Sequence, residues 1–226
     1  MKVLLIGYGR MGRLVESLAG EYDAEVAGRI GRAESDRPGP WPAADVAIDF
    51  STADAVPGNL ARLAARGIDV VIGTTGWRAH EAELRRIAQD AAIGVVAAPN
   101  FAIGVNLFAA LVERAGELLK DRPAFGAWIH ELHHAAKRDA PSGTALQLEA
   151  ALRRGGFATP IDLASTRAGS IPGTHTVGFD SAAETITLTH TARDRSGFAR
   201  GALEAARWVH GRTGWFGMKD VLWGVS

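Results

Sequence analysis

Residues 2–12 read KVLLIGYGRMG, and the fold of the chain turns on how this stretch is taken. Val3 to Ile6 form an unbroken apolar run that stops at glycine, which suits a parallel strand buried on both faces. Gly7-Tyr8-Gly9-Arg10-Met11-Gly12 then spells G-x-G-x-x-G, and RLVESLAGEY follows with a short helical stripe of Leu14, Val15 and Leu18. In that setting each glycine has a separate task. Gly7 allows a tight turn, Gly9 lets the backbone approach a pyrophosphate, and Gly12 lets the helix pack closely on the strand. The helix start adds unpaired N–H groups and a positive partial charge for phosphates. A glycine-rich turn without ligand is the plainer reading of such a loop. The strand before it and the helix after it favour the dinucleotide site.

Working outward, the same strand–helix alternation continues. Strands are predicted over 24–30, 46–50, 68–76 and 93–101, separated by a Pro/Gly-rich connection at 37–45 and by helices after Ala55 and over 80–92. This spacing predicts a doubly wound parallel sheet, the Rossmann-type α/β arrangement. Its carboxyl edge would present Asp49-Phe50-Ser51, Gly73-Thr74-Thr75 and Pro99-Asn100-Phe101, where such sheets bind ligands. The pattern changes after Phe101. A long helix over 104–120, an alternating strand in AFGAWIHELHH, a helix over 142–155 and three clustered β-rich segments predict a second, α+β domain. FARGALEAARWVHGR is helical again, and the tail is expected to rejoin the first domain. The expected division is 1–101, completed by about 204–226, against 102–203.

Bulk composition narrows the function. Hydrophobic residues make up 47% of 226, enough for sizeable cores. Lys plus Arg and Asp plus Glu are 25 each, a balance that argues against a nucleic-acid partner. With no cysteine, disulfides, thiolate catalysis and Cys-ligated metals are excluded. No run of ~18 apolar residues and no signal peptide is present, so no membrane association and a cytoplasmic location are expected.

His130-Glu131-Leu132-His133-His134 matches H-E-x-x-H, the zinc signature of metalloproteases. That signature works on a helix, where the two histidines share a face. Here the flanks alternate like a strand, which sends Glu131 and His133 one way and His130, Leu132 and His134 the other. No downstream third ligand stands at metalloprotease spacing, so no metal is expected. Lys137 carries more weight. The chain has 21 arginines but four lysines, and only lysine offers a compact cation whose proton can be exchanged. Ser142-Gly143-Thr144 opens a helix after Pro141, and could be simple capping or a carboxylate site. His133, His134, Lys137 and this helix start together suit an anionic substrate that needs proton transfer.

ELHHAAKRDAPSGTA closely resembles the signature of the dihydrodipicolinate reductases, enzymes of lysine and diaminopimelate synthesis. GYGRMG, VAIDFS, VIGTTG, APNFAIGVN, RAGSIPGTH and FARGALEAA extend the resemblance over nearly the whole chain, in order. The resemblance implies a nicotinamide-dependent reductase with a Rossmann domain, a substrate-binding and tetramerisation domain, and a homotetramer. It makes His133 the proton donor and acceptor and Lys137 a second proton donor. His134, Gly143 and Thr144 become contacts of a dicarboxylate substrate, here 4-hydroxy-tetrahydrodipicolinate. The glycine loop, Gly73-Thr74-Thr75 and Ala98-Pro99-Asn100-Phe101 become the dinucleotide site. The chain is short for the family between Ile30 and Asp45, and Gly31 stands where the family often has an acidic residue. The Arg29-Ile30-Gly31-Arg32 segment has two guanidinium groups and no carboxylate, so Arg29 and Arg32 are expected to favour NADPH, with NADH possible through Glu34. Another small-acid dehydrogenase, such as an aspartate-dehydrogenase-like enzyme, or an idle dinucleotide sensor are the rival readings. Neither has a use for the histidines together with Lys137.

Overall fold

A computed structural model describes residues 1–32 and 39–224. The chain divides into two compact units, Met1–Ile103 with Ser196–Ser226, and Gly104–Arg195. The fold class is the expected one.

In the first unit the strands are β1 (Lys2–Ile6), β2 (Glu25–Ile30), β3 (Val46–Asp49), β4 (Asp69–Ile72), β5 (Gly94–Ala97) and β10 (Gly214–Phe216). They form one parallel sheet in the order β10-β5-β4-β3-β1-β2. Helices cover both faces, which explains the unbroken apolar run in β1. Val3 and Leu5 pack under α1 (Arg10–Leu18) and α6 (Ser196–Val209), beside Val15, Ala202 and Leu203. Leu4 and Ile6 point the other way, into a core with Leu60 and Leu63 of α2 (Val56–Ala64) and Leu84 of α3 (Glu81–Asp90). Period-two alternation would have left one of these faces polar.

Ser196–Ser226 clusters with the first unit. Residues 214–216 add a sixth strand beside β5, and α7 (Met218–Trp223) follows. That segment begins at Ser196, where α6 packs as one piece against the first core. Asp69 ties these pieces together. Its buried carboxylate accepts from Gly94 N–H at 2.7 Å and Gly211 N–H at 2.8 Å, joining β4 to β5 and to the end of α6.

In the second unit β6 (Gly126–His133), β7 (Ile161–Arg167), β8 (Thr174–Asp180) and β9 (Thr185–Thr191) form a mixed sheet in the order β7-β6-β8-β9. One face is covered by α4 (Ile103–Leu119) and α5 (Gly143–Arg154), which bury Phe108, Val112, Leu148 and Leu152 against Ile129, Val177 and Phe179. Alternate residues of β6 from Ala127 to His133 are buried, so Glu131 and His133 face inward as the strand reading requires. Among the described residues, no helix is long and apolar enough to cross a membrane.

Candidate functional site

The glycine motif sits where β1 turns into α1. Gly7 has φ +81°, and a Cβ there would lie 2.3 Å from Phe50 O, so both backbone conformation and space demand glycine. Gly12 lies against Gly7 O, where a Cβ would come within 2.7 Å, the close helix–strand packing expected of the third glycine. Gly9 faces open space and caps α1 without any side-chain bond. The first-turn N–H groups of α1 therefore remain available to an anion. A cavity of about 530 Å³ opens here, lined by Gly7, Tyr8, Gly9, Arg32, Ser51 and Thr52 among others. Arg10 is exposed, while Met11 packs against the first core.

A second cavity of about 400 Å³ lies at the ends of β4, β5 and β10, lined by Thr74, Thr75, Ala98 and Pro99. Gly73 supports this edge because the Phe50 ring occupies the place of its missing side chain, at 2.2 Å from a built Cβ. Asn100 is buried and accepts from Ala102 N–H at 2.9 Å, and Phe101 is part of the first core. These two shape the loop from within. Asp49 organises the edge between the cavities, accepting from Ser51 N–H (2.8 Å), Asn59 Nδ2 (2.8 Å) and Thr74 Oγ1 (3.1 Å). The groups present fit a dinucleotide: a glycine cradle at a helix start, open backbone at Gly9, and small polar residues along the carboxyl edge.

The two arginines differ. Arg29 pairs with Glu16 of α1 and lies over the Tyr8 ring at 5.7 Å, with Tyr8 Oη also bonded to Glu16. Only Arg32 lines the cavity. Glu34 lies outside the described residues.

In the second unit the sheet register assembles a cluster around Glu131. Its cross-strand neighbours are Ser165 on β7 and His175 on β8, and Arg167 is the neighbour of His133. The Glu131 side chain is fully buried, with Oε2 against His133 Nδ1 and Oε1 accepting from Arg167 Nη2 (2.6 Å) and Ser142 N–H (3.2 Å). Ser142 Oγ meets His175 Nε2 at 3.1 Å and also accepts from Ala145 N–H, so it caps α5 and fixes a ring at once. His175 stands edge-on to His133, with centroids 5.1 Å apart. Lys137 Nζ reaches both oxygens of Asp139 at 2.8 Å, and Arg167 bonds Asp139 O. Gly143 and Thr144 occupy the first turn of α5, with open space around Gly143. His134 follows the strand, and its carbonyl accepts from Lys137 N–H.

Electrostatics follow from this packing. Burial alone would raise the Glu131 carboxyl, but hydrogen bonds from Arg167 and Ser165 and the charges of His133 and Arg167 outweigh it. The group is held well below the usual carboxylate range. Burial, reinforced by the Lys137 and Arg167 charges, overcomes the pull of Glu131 and holds His133 below its ordinary value. Burial pushes His175 down to about 4. Both rings are therefore mostly neutral near pH 7.

The H-E-x-x-H match dissolves in three dimensions. His130 points to the other side of the sheet and meets Thr166 Oγ1 at 2.9 Å, away from His133. A different trio, Glu131, His133 and His175, does bring ligand atoms within 4.8 Å of one another, so His175 is a third group that spacing along the chain did not reveal. Arg167 on Glu131 and Ser142 on His175 argue for a hydrogen-bonded network there, because a divalent ion would sit beside a guanidinium. Glu131, Arg167, His175 and Asp139 were all missed as functional candidates. Only the E-x-H alternation within β6 pointed to the first.

A parallel sheet whose first turn carries this glycine cradle defines the dinucleotide-binding class of Rossmann-type folds. The family model "Dihydrodipicolinate reductase, N-terminus" matches residues 1–101, and "Dihydrodipicolinate reductase, C-terminus" matches 104–222. The chain is 35% identical to a 4-hydroxy-tetrahydrodipicolinate reductase of Christiangramia forsetii, covering 98% of each chain. It is 43% identical to one of Acidiphilium cryptum, covering 95% of this chain and 94% of that one. A dipicolinate-bound dihydrodipicolinate reductase from Paenisporosarcina sp. TG-14 shares the fold, with TM-score 0.81 at 21% identity over 98% of this chain and 99% of that chain. The chain belongs to the dihydrodipicolinate reductase family.

Proposed function

We propose that this chain reduces 4-hydroxy-tetrahydrodipicolinate to tetrahydrodipicolinate with NADPH, in lysine and diaminopimelate synthesis. The observation that carries this reading is the family match through both halves of the chain, with the glycine cradle in one half and the His133–Lys137 cluster in the other. A bound nicotinamide supplies the hydride. The ring takes it at C4, the 4-hydroxyl departs as water, and one proton balances the change. His133 exchanges protons through Nε2, beside Gly173, where a Cβ would come within 3.1 Å of that nitrogen. Lys137 is the second donor, held by Asp139. The α5 start at Gly143 and Thr144, with His134, receives the substrate carboxylates through N–H groups and positive partial charge. The unit Gly104–Arg195 is thus the substrate-binding half and also the assembly half. In support of a homotetramer, the sheet face away from α4 and α5 presents Trp128 over Gly178 and paired threonines, Thr176 with Thr189 and Thr174 with Thr191.

The direct test is cofactor oxidation with substrate freshly made by the preceding enzyme, with and without chelator, together with a sedimentation mass. Turnover that survives chelation, in a particle of four 23.9 kDa chains, is expected. No turnover, or turnover lost with one bound zinc per chain, overturns the reading or its metal-free form.

NADPH is the proposed cofactor because Arg32 lines the glycine-loop cavity and residues 29–32 hold no carboxylate to repel a 2′-phosphate. A charge-assisted pair contributes ~1.5–3 kcal/mol, about ten- to a hundredfold in affinity. Arg32→Ala should lower kcat/KM for NADPH by about tenfold and leave NADH use nearly unchanged. Arg29→Ala should do less, since Glu16 already engages that guanidinium. A clear NADH preference in the unmodified enzyme would refute the assignment.

A further inference from the structure

Between β6 and its neighbours lies a buried ion-pair network that the proton-transfer roles of His133 and Lys137 do not by themselves require. A carboxylate is costly to bury, and Glu131 is fully buried. We propose that Glu131 is the positioning residue for proton exchange at His133: its Oε2 accepts the Nδ1–H and so leaves Nε2 as the exchanging atom. The inference rests on the functional reading above for the reaction, but its geometry stands alone.

Three features carry it. Glu131 Oε2 lies in ion-pair contact with His133 Nδ1, and an ionised carboxylate only accepts, so a proton placed at that contact is carried by the ring nitrogen. That contact selects one of the two neutral tautomers, the one with a lone pair on Nε2. Next, Glu131 cannot swing away. Arg167 Nη2 and Ser142 N–H hold Oε1 from two other elements, β7 and the start of α5. Finally, the Nε2 side has been kept clear. Gly173 passes that nitrogen with φ +139°, and any side chain there would crowd it.

The same contact acts when Nε2 takes up a proton. Imidazolium forming at His133 would meet the Lys137 and Arg167 charges and the neutral His175 ring, and Glu131 supplies the only carboxylate in direct contact with it among the described residues. Without Glu131, burial and the two cations would act unopposed, and protonation of His133 would require lower pH.

The experiment is long-range ¹H–¹⁵N spectroscopy on histidine-labelled holoenzyme near neutral pH, alongside kinetics of Glu131→Gln and Glu131→Asp. Wild-type His133 is expected as the Nδ1–H tautomer. Glu131→Gln, which can donate as well as accept, should lose that single tautomer and lower kcat by about 10²-fold or more, with cofactor KM within about twofold. The ionisation of His133 in its pH profile should move to lower pH. Glu131→Asp keeps a carboxylate and should restore the tautomer and part of kcat, which a purely structural role for the buried charge does not predict. A wild-type His133 carrying its proton on Nε2, or a Gln variant with unaltered kcat, overturns the proposal. If wild-type enzyme fails to reduce the proposed substrate, the functional reading falls, while the tautomer still decides for or against Glu131.

Discussion

His133→Gln is expected to lower kcat by about 10²–10⁴-fold, the range a positioned proton-transfer group contributes. Glutamine nearly fills the ring's volume and can still meet Glu131, but it has no nitrogen that gains and loses a proton near neutral pH. Cofactor affinity should hold, because His133 belongs to the second unit and the glycine cradle to the first. Lys137→Ala should lower kcat in the same range, leaving Asp139 exposed and solvated. Stopped-flow measurement of single turnovers separates the chemical step from product release. Near-normal turnover in both variants would remove these residues from the mechanism.

Arg167→Ala should cost about 3–5 kcal/mol of stability at neutral pH, the usual penalty for removing one partner of a buried pair. Glu131 is fully buried, and Arg167 contributes both a 2.6 Å hydrogen bond and the nearest full cation to Oε1. The pH dependence has a definite sign. In the intact protein Glu131 titrates well below its ordinary 4.5, so its contribution is present above that value and lost as pH falls through the folded one. Without Arg167 the desolvation of Glu131 loses its main opponent, and the carboxyl rises. The gap between wild type and variant should therefore narrow as acid is added below its neutral-pH value. Urea titrations at several pH values read this out. Adding Glu131→Gln to Arg167→Ala should recover part of the loss, since the uncompensated charge is gone. A loss below about 1 kcal/mol at neutral pH, with no acid-side narrowing, would show that Ser142, Ser165 and His133 suffice to hold the carboxylate.

Much of the first unit was legible in the chain itself. Continuous apolar runs at 3–6, 46–48 and 70–72 require a sheet covered on both faces, and α1 and α6 on one side and α2 and α3 on the other provide the cover. The glycine spacing was readable because each glycine answers a local demand of turn, approach or packing. The sixth strand at 214–216 was not legible. It has three residues, and it becomes a strand by hydrogen-bonding to β5, 120 positions earlier in the chain. No pattern within so short a segment records such a partner.

The candidate site divides in the same way. His133 and Lys137 stand in one short stretch with the start of α5, so residue type and spacing, helped by the family resemblance, sufficed to pick them out. Strand alternation also determined that Glu131 and His133 share a face and that H-E-x-x-H does not form a helical metal site. What Glu131 does was decided elsewhere: parallel pairing with β7 brings in Arg167, antiparallel pairing with β8 brings in His175, and the α5 cap brings in Ser142. Arg29 and Arg32 looked equivalent along the chain until α1 placed Glu16 against the first and left the second at the cavity. Periodicity and turn chemistry are local properties and are written in consecutive residues. Charge pairing and proton affinity depend on which groups meet at ~3 Å in a dry interior, and strand register together with helix placement sets that.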